Sequence, residues 1–414
     1  MTAGDVLFRS LFVVALAVAA YEPLKEMRPG TDWRPGTPGA RIGDQVVTTT
    51  GRAGVAAAIA VSGLSFAAGW WIVPALCVFA AAFLLLATVY LAQRFAGYVT
   101  EEDDGTKHFK VHHHLHLAGM AVLTAAVAGL AGLVAGHGSD PHVLTAWISQ
   151  GFWGAVGAHY FVAAISKIRK RGLGWADRRL FPYFVTLFTR YRRGDGETVR
   201  DTGAGPLLAR HPAWSTAPLW AVLLLELAAP AVMFGYPFRL VIGVGLVLFH
   251  ACSYWLLAVD FRENAMLAAL VLLPLPWPGA DWAGLTIAPV ALTAGVGCIL
   301  LSLLFDDRVF PFSNLPMFAA AYRPVTVITL RSPDGALIYP TIRYAGCSTS
   351  GLSREFAETQ EPGPDLEGFL GTVRDRIARS GEEPPAGTVL WREVIDVDPS
   401  GRVHVDDGLL AGLA

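Results

Sequence analysis

Two basic residues in apolar surroundings, Lys167 and His250, are the first candidates for chemistry in this sequence. Lys167 follows a long apolar run in HYFVAAISKIRKRG, and His250 interrupts another in LVLFHACSYW. Only five of the thirty-two Lys and Arg residues are lysines, so Arg is the usual cation of this chain. A desolvated lysine can release its proton, whereas an arginine stays charged. We therefore expect Lys167 and His250 to share one pocket and to act together as catalytic residues.

Three further residues are candidates for substrate binding. Glu226 and His159 lie within apolar runs, where ionisable groups are costly and mark functional sites, and Trp175 follows Lys167 closely. A structural role is the alternative for the charged groups. Lys167 would then extend its ammonium to the lipid headgroups, while Glu226 and His250 would only bond to neighbouring helices.

A cluster of histidines in KHFKVHHHLH is a candidate metal site. His108, His112 and His116 are spaced by four residues, which places them near one helical face, and His113 and His114 lie beside them. Imidazoles at this spacing can bind a metal. Membrane di-iron hydroxylases need several such groups on one side of the membrane, and this cluster stands alone. We predict a structural role without metal, and a metal-dependent membrane oxidase is the alternative.

The composition indicates which elements position these residues. The chain of 414 residues is 53% hydrophobic and 16% charged, whereas soluble chains have roughly a quarter charged residues. We predict an all-α polytopic membrane helix bundle of about nine spans over residues 1–305, followed by a small C-terminal α+β soluble domain over residues 306–414. The nine apolar stretches are 7–21, 53–69, 72–93, 114–135, 143–166, 214–234, 238–259, 262–277 and 284–305.

The C-terminal region has a different composition and pattern. Residues 306–414 contain ten Arg and sixteen Asp or Glu, and are therefore acidic. The strand-like VTVITL (325–330), the turn sequence SPDG (332–335) and ALIYPTIRY predict a β-hairpin. Residues 365–379 are predicted to be helical, and VLWREVIDVD (389–398) is predicted to be a further strand.

The loops between the apolar stretches alternate in charge. Loops 22–52, 94–112 and 167–210 are rich in Lys and Arg, and the last contains eleven of them against four acids. Loops 136–142 and 278–283 contain neither Lys nor Arg. By the positive-inside rule, we expect the basic loops on the cytoplasmic side of an integral, multi-pass cell membrane protein.

The order of these features resembles the vitamin K-dependent gamma-carboxylase-like (HTTM-type) family of membrane proteins. WGAVGAHYFVAAISKIRKRGLGWADRRL resembles the Y-x-x-A-G-x-x-K … W-x-D/E-G segment of that family. LLLELAAP is similar to its Glu-containing span, and FHACSYWLLAVDFRENAMLAALVLLPLPWP is similar to its F-H-x-x-x-x-x-L-F-x-I-G-x-F-x-x-x-M-L signature. FPFSNLPMFA resembles the pattern that follows the membrane region in bacterial members. The resemblance covers roughly residues 5–320.

This resemblance implies a function. In the carboxylase, the lysine of the first segment deprotonates vitamin K hydroquinone; Lys167 matches that base, and His250 matches the supporting histidine. We therefore expect a quinone-linked carboxylase- or redox-type enzyme that uses a lipid quinone, with a pocket among the fifth to seventh spans. The alternative is a non-enzymatic membrane subunit or scaffold, in which loop 167–210 binds anionic lipid and the tail binds a soluble protein or peptide. Membrane lipid is an expected partner, and nucleic acid is not.

Overall fold

The described part of the chain is mostly helical and divides into two compact units. The computed structural model describes residues 2–27, 38–94, 99–101, 107–109, 114–194, 204–209, 211–257, 259, 261–275, 280–282, 285–305, 310–312, 324–339, 341–345, 349–358, 365–380 and 384–413. Unit 1 comprises Met1–Gly172, Val222–Ala251 and Phe261–Ala320, and unit 2 comprises Leu173–Ala221, Cys252–Asp260 and Ala321–Ala414. Unit 2 thus joins most of the predicted tail to two segments of the apolar region, and the predicted boundary at residue 305 stays a prediction.

Fifteen α-helices are described. They are α1 (Ala3–Glu26), α2 (Pro38–Val46), α3 (Thr49–Ala68), α4 (Ile72–Arg94), α5 (His114–Val134), α6 (Pro141–Arg171), α7 (Leu180–Gly194), α8 (Ala204–Ala209), α9 (Pro212–Ala228), α10 (Tyr236–Leu257), α11 (Arg262–Leu270), α12 (Pro289–Phe305), α13 (Thr341–Ala345), α14 (Thr349–Glu358) and α15 (Leu366–Ser380). Two 3-10 helices, Gly172–Trp175 and Ala229–Met233, follow α6 and α9.

Six helices in the described ranges are long and apolar enough to cross a membrane. These segments are Ala3–Lys25, Thr49–Ala68, Ile72–Leu91, Leu115–Val134, Thr216–Met233 and Tyr236–Leu257. The predicted count of about nine is not confirmed. The stretch 143–166 lies within the 31-residue α6, 262–277 contains only the nine-residue α11, and 284–305 contains the 17-residue apolar α12.

The long helices of unit 1 begin and end at recognisable capping residues. The Thr2 side chain accepts a hydrogen bond from the Asp5 amide, and Asp5 accepts one from the Thr2 amide, so a capping box starts α1. Asp140 caps α6 in the same way, and Pro141 occupies its first turn. Gly69, at a φ of 83°, ends α3 in the left-handed region that favours glycine.

Polar contacts between helix ends show that α1, α4 and α6 run in the same direction. His142, at the start of α6, lies 2.8 Å from the Asp5 carboxylate at the start of α1. The Tyr90 hydroxyl near the end of α4 donates a hydrogen bond of 3.1 Å to Glu22 near the end of α1. The helices α1 and α4 therefore end on the same side of unit 1, so the basic loops 22–52 and 94–112 leave it at one end.

Unit 2 contains a three-stranded antiparallel sheet. The order of its strands is β5–β6–β7, and two short antiparallel pairs, β1–β2 and β3–β4, lie outside this unit. The strands are β1 (Val99–Glu101), β2 (Lys107–Phe109), β3 (Ala280–Trp282), β4 (Leu285–Ile287), β5 (Val325–Arg331), β6 (Val389–Val397) and β7 (Val403–Gly412). The hydrophobic core beside the sheet has side chains from the strands and from α13, α14 and α15, including Ile328, Leu330, Leu352, Phe369 and Leu390.

The tail departs from its predicted pattern at one element. The strand at 325–330, the helix at 365–379 and the strand at 389–398 are present as β5, α15 and β6. The predicted second strand of the hairpin is wrong: only a single bridge joins Arg331 to Leu337, and Thr341–Ala345 is helical. The strand that pairs with β5 along its whole length is β6, from Val325 opposite Ile395 to Arg331 opposite Val389.

Candidate functional site

The Lys167 ammonium and the Glu226 carboxylate form a buried ion pair. Lys167 Nζ lies 2.6 Å from Glu226 Oε1 and 2.5 Å from Oε2, and each side chain is 4% exposed. Lys167 comes one turn before the end of α6, and Glu226 lies in the last turn of α9. Because water cannot hydrate either charge there, each group depends on the other for neutralisation.

Two glycines of α6 let other segments of the protein pack closely against this helix. At Gly157, an added Cβ would lie 2.8 Å from the Met233 side chain and 3.2 Å from the Pro230 backbone, both in the 3-10 helix that follows α9. At Gly154, an added Cβ would lie 2.5 Å from the Ala291 carbonyl oxygen of α12. Small residues at these positions let helix backbones pack closely, as is typical of membrane helices.

A second buried polar pair lies on the same helix. The Tyr160 hydroxyl is 2.5 Å from His250 Nε2, and both side chains are buried. Tyr160 precedes Lys167 by seven residues, which is two helical turns or about 10 Å along the axis, so both face the same side of α6. His250 is also surrounded by aromatic rings, with the Phe249 centroid at 4.9 Å and the Phe261 centroid at 5.8 Å.

The two pairs lie on the same face of α6, two helical turns apart. We refer to Tyr160, Lys167, Glu226 and His250 as the acid–base cluster. Three of its members, Lys167, Glu226 and His250, are among the five residues that the sequence proposed. A fourth proposed residue, His159, is adjacent to Tyr160 and contacts it edge-to-face at 5.1 Å.

His159 and Trp175 are the other two residues that the sequence analysis proposes for substrate binding. His159 Nδ1 is buried and has no hydrogen-bond partner among the residues that the structure describes. Trp175 is buried at the end of the 3-10 helix Gly172–Trp175 and belongs to unit 2, whereas the acid–base cluster belongs to unit 1.

The histidine cluster falls largely outside the described residues. His112 and His113 are not described, and neither are the side chains of His108 and His114. His116 is buried in α5, and its Nδ1 donates a hydrogen bond of 2.9 Å to the Pro311 carbonyl oxygen. Within the described ranges, no group of three or more His, Cys, Asp or Glu side chains is arranged to hold a metal.

Sequence reasoning missed Tyr160 and Glu263. Tyr160 could have been found from its seven-residue spacing to Lys167, which places both side chains on one helical face. Glu263 follows the apolar run of α10 in VDFREN and is 8% exposed. A buried carboxylate in a membrane region is a functional candidate for the same reason as Glu226.

The arrangement can move protons between neighbouring groups without water. At 2.5 Å, a proton can pass from Lys167 Nζ to the Glu226 carboxylate, which converts the ion pair into a neutral amine and a neutral acid. This conversion is accessible because a low-dielectric environment penalises two separated charges. The Tyr160 hydroxyl and the His250 imidazole form a second donor–acceptor pair at the same distance.

Comparisons with known proteins were negative. No family model matches the sequence, and no curated protein or solved structure matches it either.

Proposed function

We propose that this protein is a membrane-embedded enzyme that deprotonates a lipid-soluble hydroquinone in a carboxylase- or redox-type reaction. One observation carries the proposal: the Lys167–Glu226 ion pair lies buried on the same face of α6 as the Tyr160–His250 hydrogen bond. The resemblance of the surrounding motifs to the vitamin K-dependent gamma-carboxylase-like family supports the hydroquinone as the substrate class. The absence of any match leaves this relationship a proposal.

Lys167 is the proposed base. Its ammonium first passes one proton to the Glu226 carboxylate over 2.5 Å. The neutral amine then accepts the proton of a hydroquinone O–H, and the resulting ammonium lies beside the anionic oxygen that it has created. The hydroquinone loses one proton, Lys167 ends as it began, and Glu226 holds the additional proton until the product leaves. An arginine could not perform this step, because it retains its proton.

Tyr160 and His250 are proposed to bind the second oxygen of the same ring. The Tyr160 hydroxyl can donate to a quinone oxygen while His250 Nε2 accepts or returns its proton. Tyr160 and Lys167 are about 10 Å apart along the axis of α6, so the proposed contacts to the two oxygens come from successive turns of one helix face. The aromatic rings of Phe249 and Phe261 supply apolar contact surface beside His250.

The membrane setting fits a lipid-soluble substrate. We propose that α6, α11 and α12 add to the six apolar helices to give about nine membrane segments in the cell membrane. The basic loops then lie in the cytoplasm, and α6 presents Lys167 near that face. A quinone with an isoprenoid tail would reach the cluster from within the bilayer.

Quinone binding tests this function. The purified protein in neutral detergent is titrated with a naphthoquinone that carries an isoprenoid tail, and the quenching of tryptophan fluorescence is measured. We expect saturable binding that weakens at least severalfold in His250→Ala and Tyr160→Phe. Lys25→Gln, a lysine of α1 outside the cluster, is the matched control and should bind normally. No saturable binding, or equal binding by all four proteins, would favour the non-enzymatic membrane subunit.

A further inference from the structure

Unit 2 contains a cavity that the proposed hydroquinone chemistry does not use. Its volume is about 1040 Å³, and it is formed by α7, α8 and the turn between β6 and β7. Its polar lining includes Thr186, Thr189, Arg190, Arg193, Ser400 and Arg402. None of these is acidic, and three are arginines.

One wall of the cavity is a polar stripe on α7. Thr186, Thr189, Arg190 and Arg193 stand at positions i, i+3, i+4 and i+7, so they follow a single helical face. These two threonines and two arginines therefore line one side of α7, where the Thr186 hydroxyl donates to the Pro182 carbonyl oxygen and can still accept a hydrogen bond. The apolar packing of α7 uses other positions: Leu187 is buried with Val327 and Ile395.

The opposite wall is a fixed turn. The Asp398 carboxylate accepts hydrogen bonds from the Ser400 amide at 2.7 Å and from the Arg402 amide at 3.1 Å. Gly401, between them, has a φ of 88°, which a side chain would strain. These constraints fix the backbone from which Arg402 extends towards the cavity.

Arginines are prominent among the described residues at the cavity. Arg190 lies 3.2 Å from the buried Glu393 carboxylate, and Arg331 bonds to the same carboxylate. Arg193 and Arg402 are the other two arginines of the lining. Counting Asp398 in the turn, the described residues place four guanidiniums and two carboxylates at or beside the cavity.

We propose that this cavity binds the phosphate group of an organic anion. A phosphate carries up to two negative charges and offers several acceptor oxygens, which guanidinium forks bind in pairs and hydroxyls complete. The volume exceeds what inorganic phosphate needs and is in the range of pockets that hold small organic molecules. The apolar residues Pro206 and Ala209 can contact the carbon part of such a ligand.

Two kinds of ligand carry such a phosphate group. One is the headgroup of an anionic phospholipid, and the other is a soluble organic phosphate or diphosphate. Both would bind through the same guanidiniums. The two kinds of ligand can be distinguished by whether a soluble diphosphate binds in the cavity without any lipid.

The test uses the full-length protein in neutral detergent. Isothermal titration calorimetry with inorganic pyrophosphate measures soluble-anion binding, and native mass spectrometry after adding phosphatidylglycerol or phosphatidylcholine counts retained lipids. The variants are Arg193→Gln and Arg402→Gln. The matched control is Arg392→Gln, which removes an exposed arginine from β6 that does not line the cavity. Circular dichroism and size-exclusion chromatography establish that each variant is folded.

We expect one of the two ligands to bind, and each lining variant to weaken it about tenfold while Arg392→Gln leaves it unchanged. Pyrophosphate binding assigns a soluble organic phosphate, and selective retention of phosphatidylglycerol without pyrophosphate binding assigns a lipid headgroup. Since Arg402 is exposed, its substitution should not disturb folding. The proposal is overturned if neither ligand binds, or if Arg392→Gln weakens binding as much as the two lining variants.

Discussion

Lys167 and Glu226, 59 residues apart in the sequence, meet as a buried ion pair in which Lys167 Nζ contacts both carboxylate oxygens within 2.6 Å. A buried pair of this kind contributes little net stability, because desolvation offsets much of the attraction. Its presence in an apolar region is therefore better explained by a task that needs a movable proton.

The ion pair makes a first prediction about stability. Glu226→Gln alone should lower the free energy of unfolding by about 3–5 kcal/mol, because it leaves the Lys167 ammonium buried without a counter-charge. Adding Lys167→Met to Glu226→Gln should restore most of that loss. Thermal unfolding in detergent compares wild type, the two single variants and the double variant. Losses that simply add, with no recovery in the double variant, would show that the two side chains do not depend on each other.

The Tyr160 hydroxyl provides a second prediction. Tyr160→Phe removes the partner of His250 Nε2 and should cost about 1–3 kcal/mol of stability. It should also reduce hydroquinone turnover or binding severalfold. Tyr90→Phe is the control, since it removes a hydroxyl that bonds to Glu22 away from the cluster. It should affect stability alone. A Tyr160→Phe protein with normal hydroquinone behaviour would remove Tyr160 from the mechanism.

A third prediction concerns the packing that positions α6. Gly154→Ala should destabilise the protein by about 1–3 kcal/mol, because its Cβ would collide with the backbone of α12. Gly297→Ala on α12 has nothing within 4 Å of the added Cβ and should be neutral or slightly stabilising. Thermal unfolding compares the two. Equal effects would mean that α6 and α12 do not pack closely at Gly154.

A fourth prediction is that the local stability of the turn between β6 and β7 depends on pH. Hydrogen bonds from Ser400 and His404 lower the pKa of Asp398 below its usual value. A carboxyl with a lowered folded-state pKa stabilises the fold above its unfolded pKa of about 3.9, and the effect is lost as pH falls through the folded value. Asp398→Asn should therefore speed amide hydrogen exchange at Ser400 and Arg402 near neutral pH.

The control for the turn is Asp406→Asn, an exposed carboxylate of β7 whose nearest cation lies at 4.0 Å. It should leave the exchange of the Ser400 and Arg402 amides unchanged. The difference between wild type and Asp398→Asn should shrink as the pH falls into the acidic range. A difference that persists at low pH would indicate that the charge of Asp398 does not fix the turn.

Much of the fold could be predicted from the sequence because hydrophobic periodicity and length decide helices locally. The stretches 72–93 and 114–135 correspond closely to α4 and α5. The sheet was harder to predict, because pairing is a non-local property. β7 was missed, since VHVDDGLLAG carries acids and glycines where a strand usually alternates.

The sequence predicted most residues of the candidate site, but it did not predict which of them bond to each other. Ionisable residues in apolar runs pointed to Lys167, Glu226 and His250. The sequence could not show that Lys167 bonds to Glu226 while His250 bonds to Tyr160, because those distances depend on how α6, α9 and α10 pack. This pairing shapes the proposed mechanism, in which Lys167 gives a proton to Glu226 before it acts as a base.

The most direct test of the proposed function is the protonation of a bound hydroquinone. A reduced isoprenoid naphthoquinone is added anaerobically to the purified protein, and the ultraviolet absorption of its anion is followed against pH. We predict that the bound hydroquinone loses its proton at a lower pH than the same compound in protein-free micelles. Lys167→Arg, which keeps the charge opposite Glu226, should abolish that difference while the protein stays folded. A bound hydroquinone that titrates as it does in micelles, or equally in wild type and Lys167→Arg, would contradict the account.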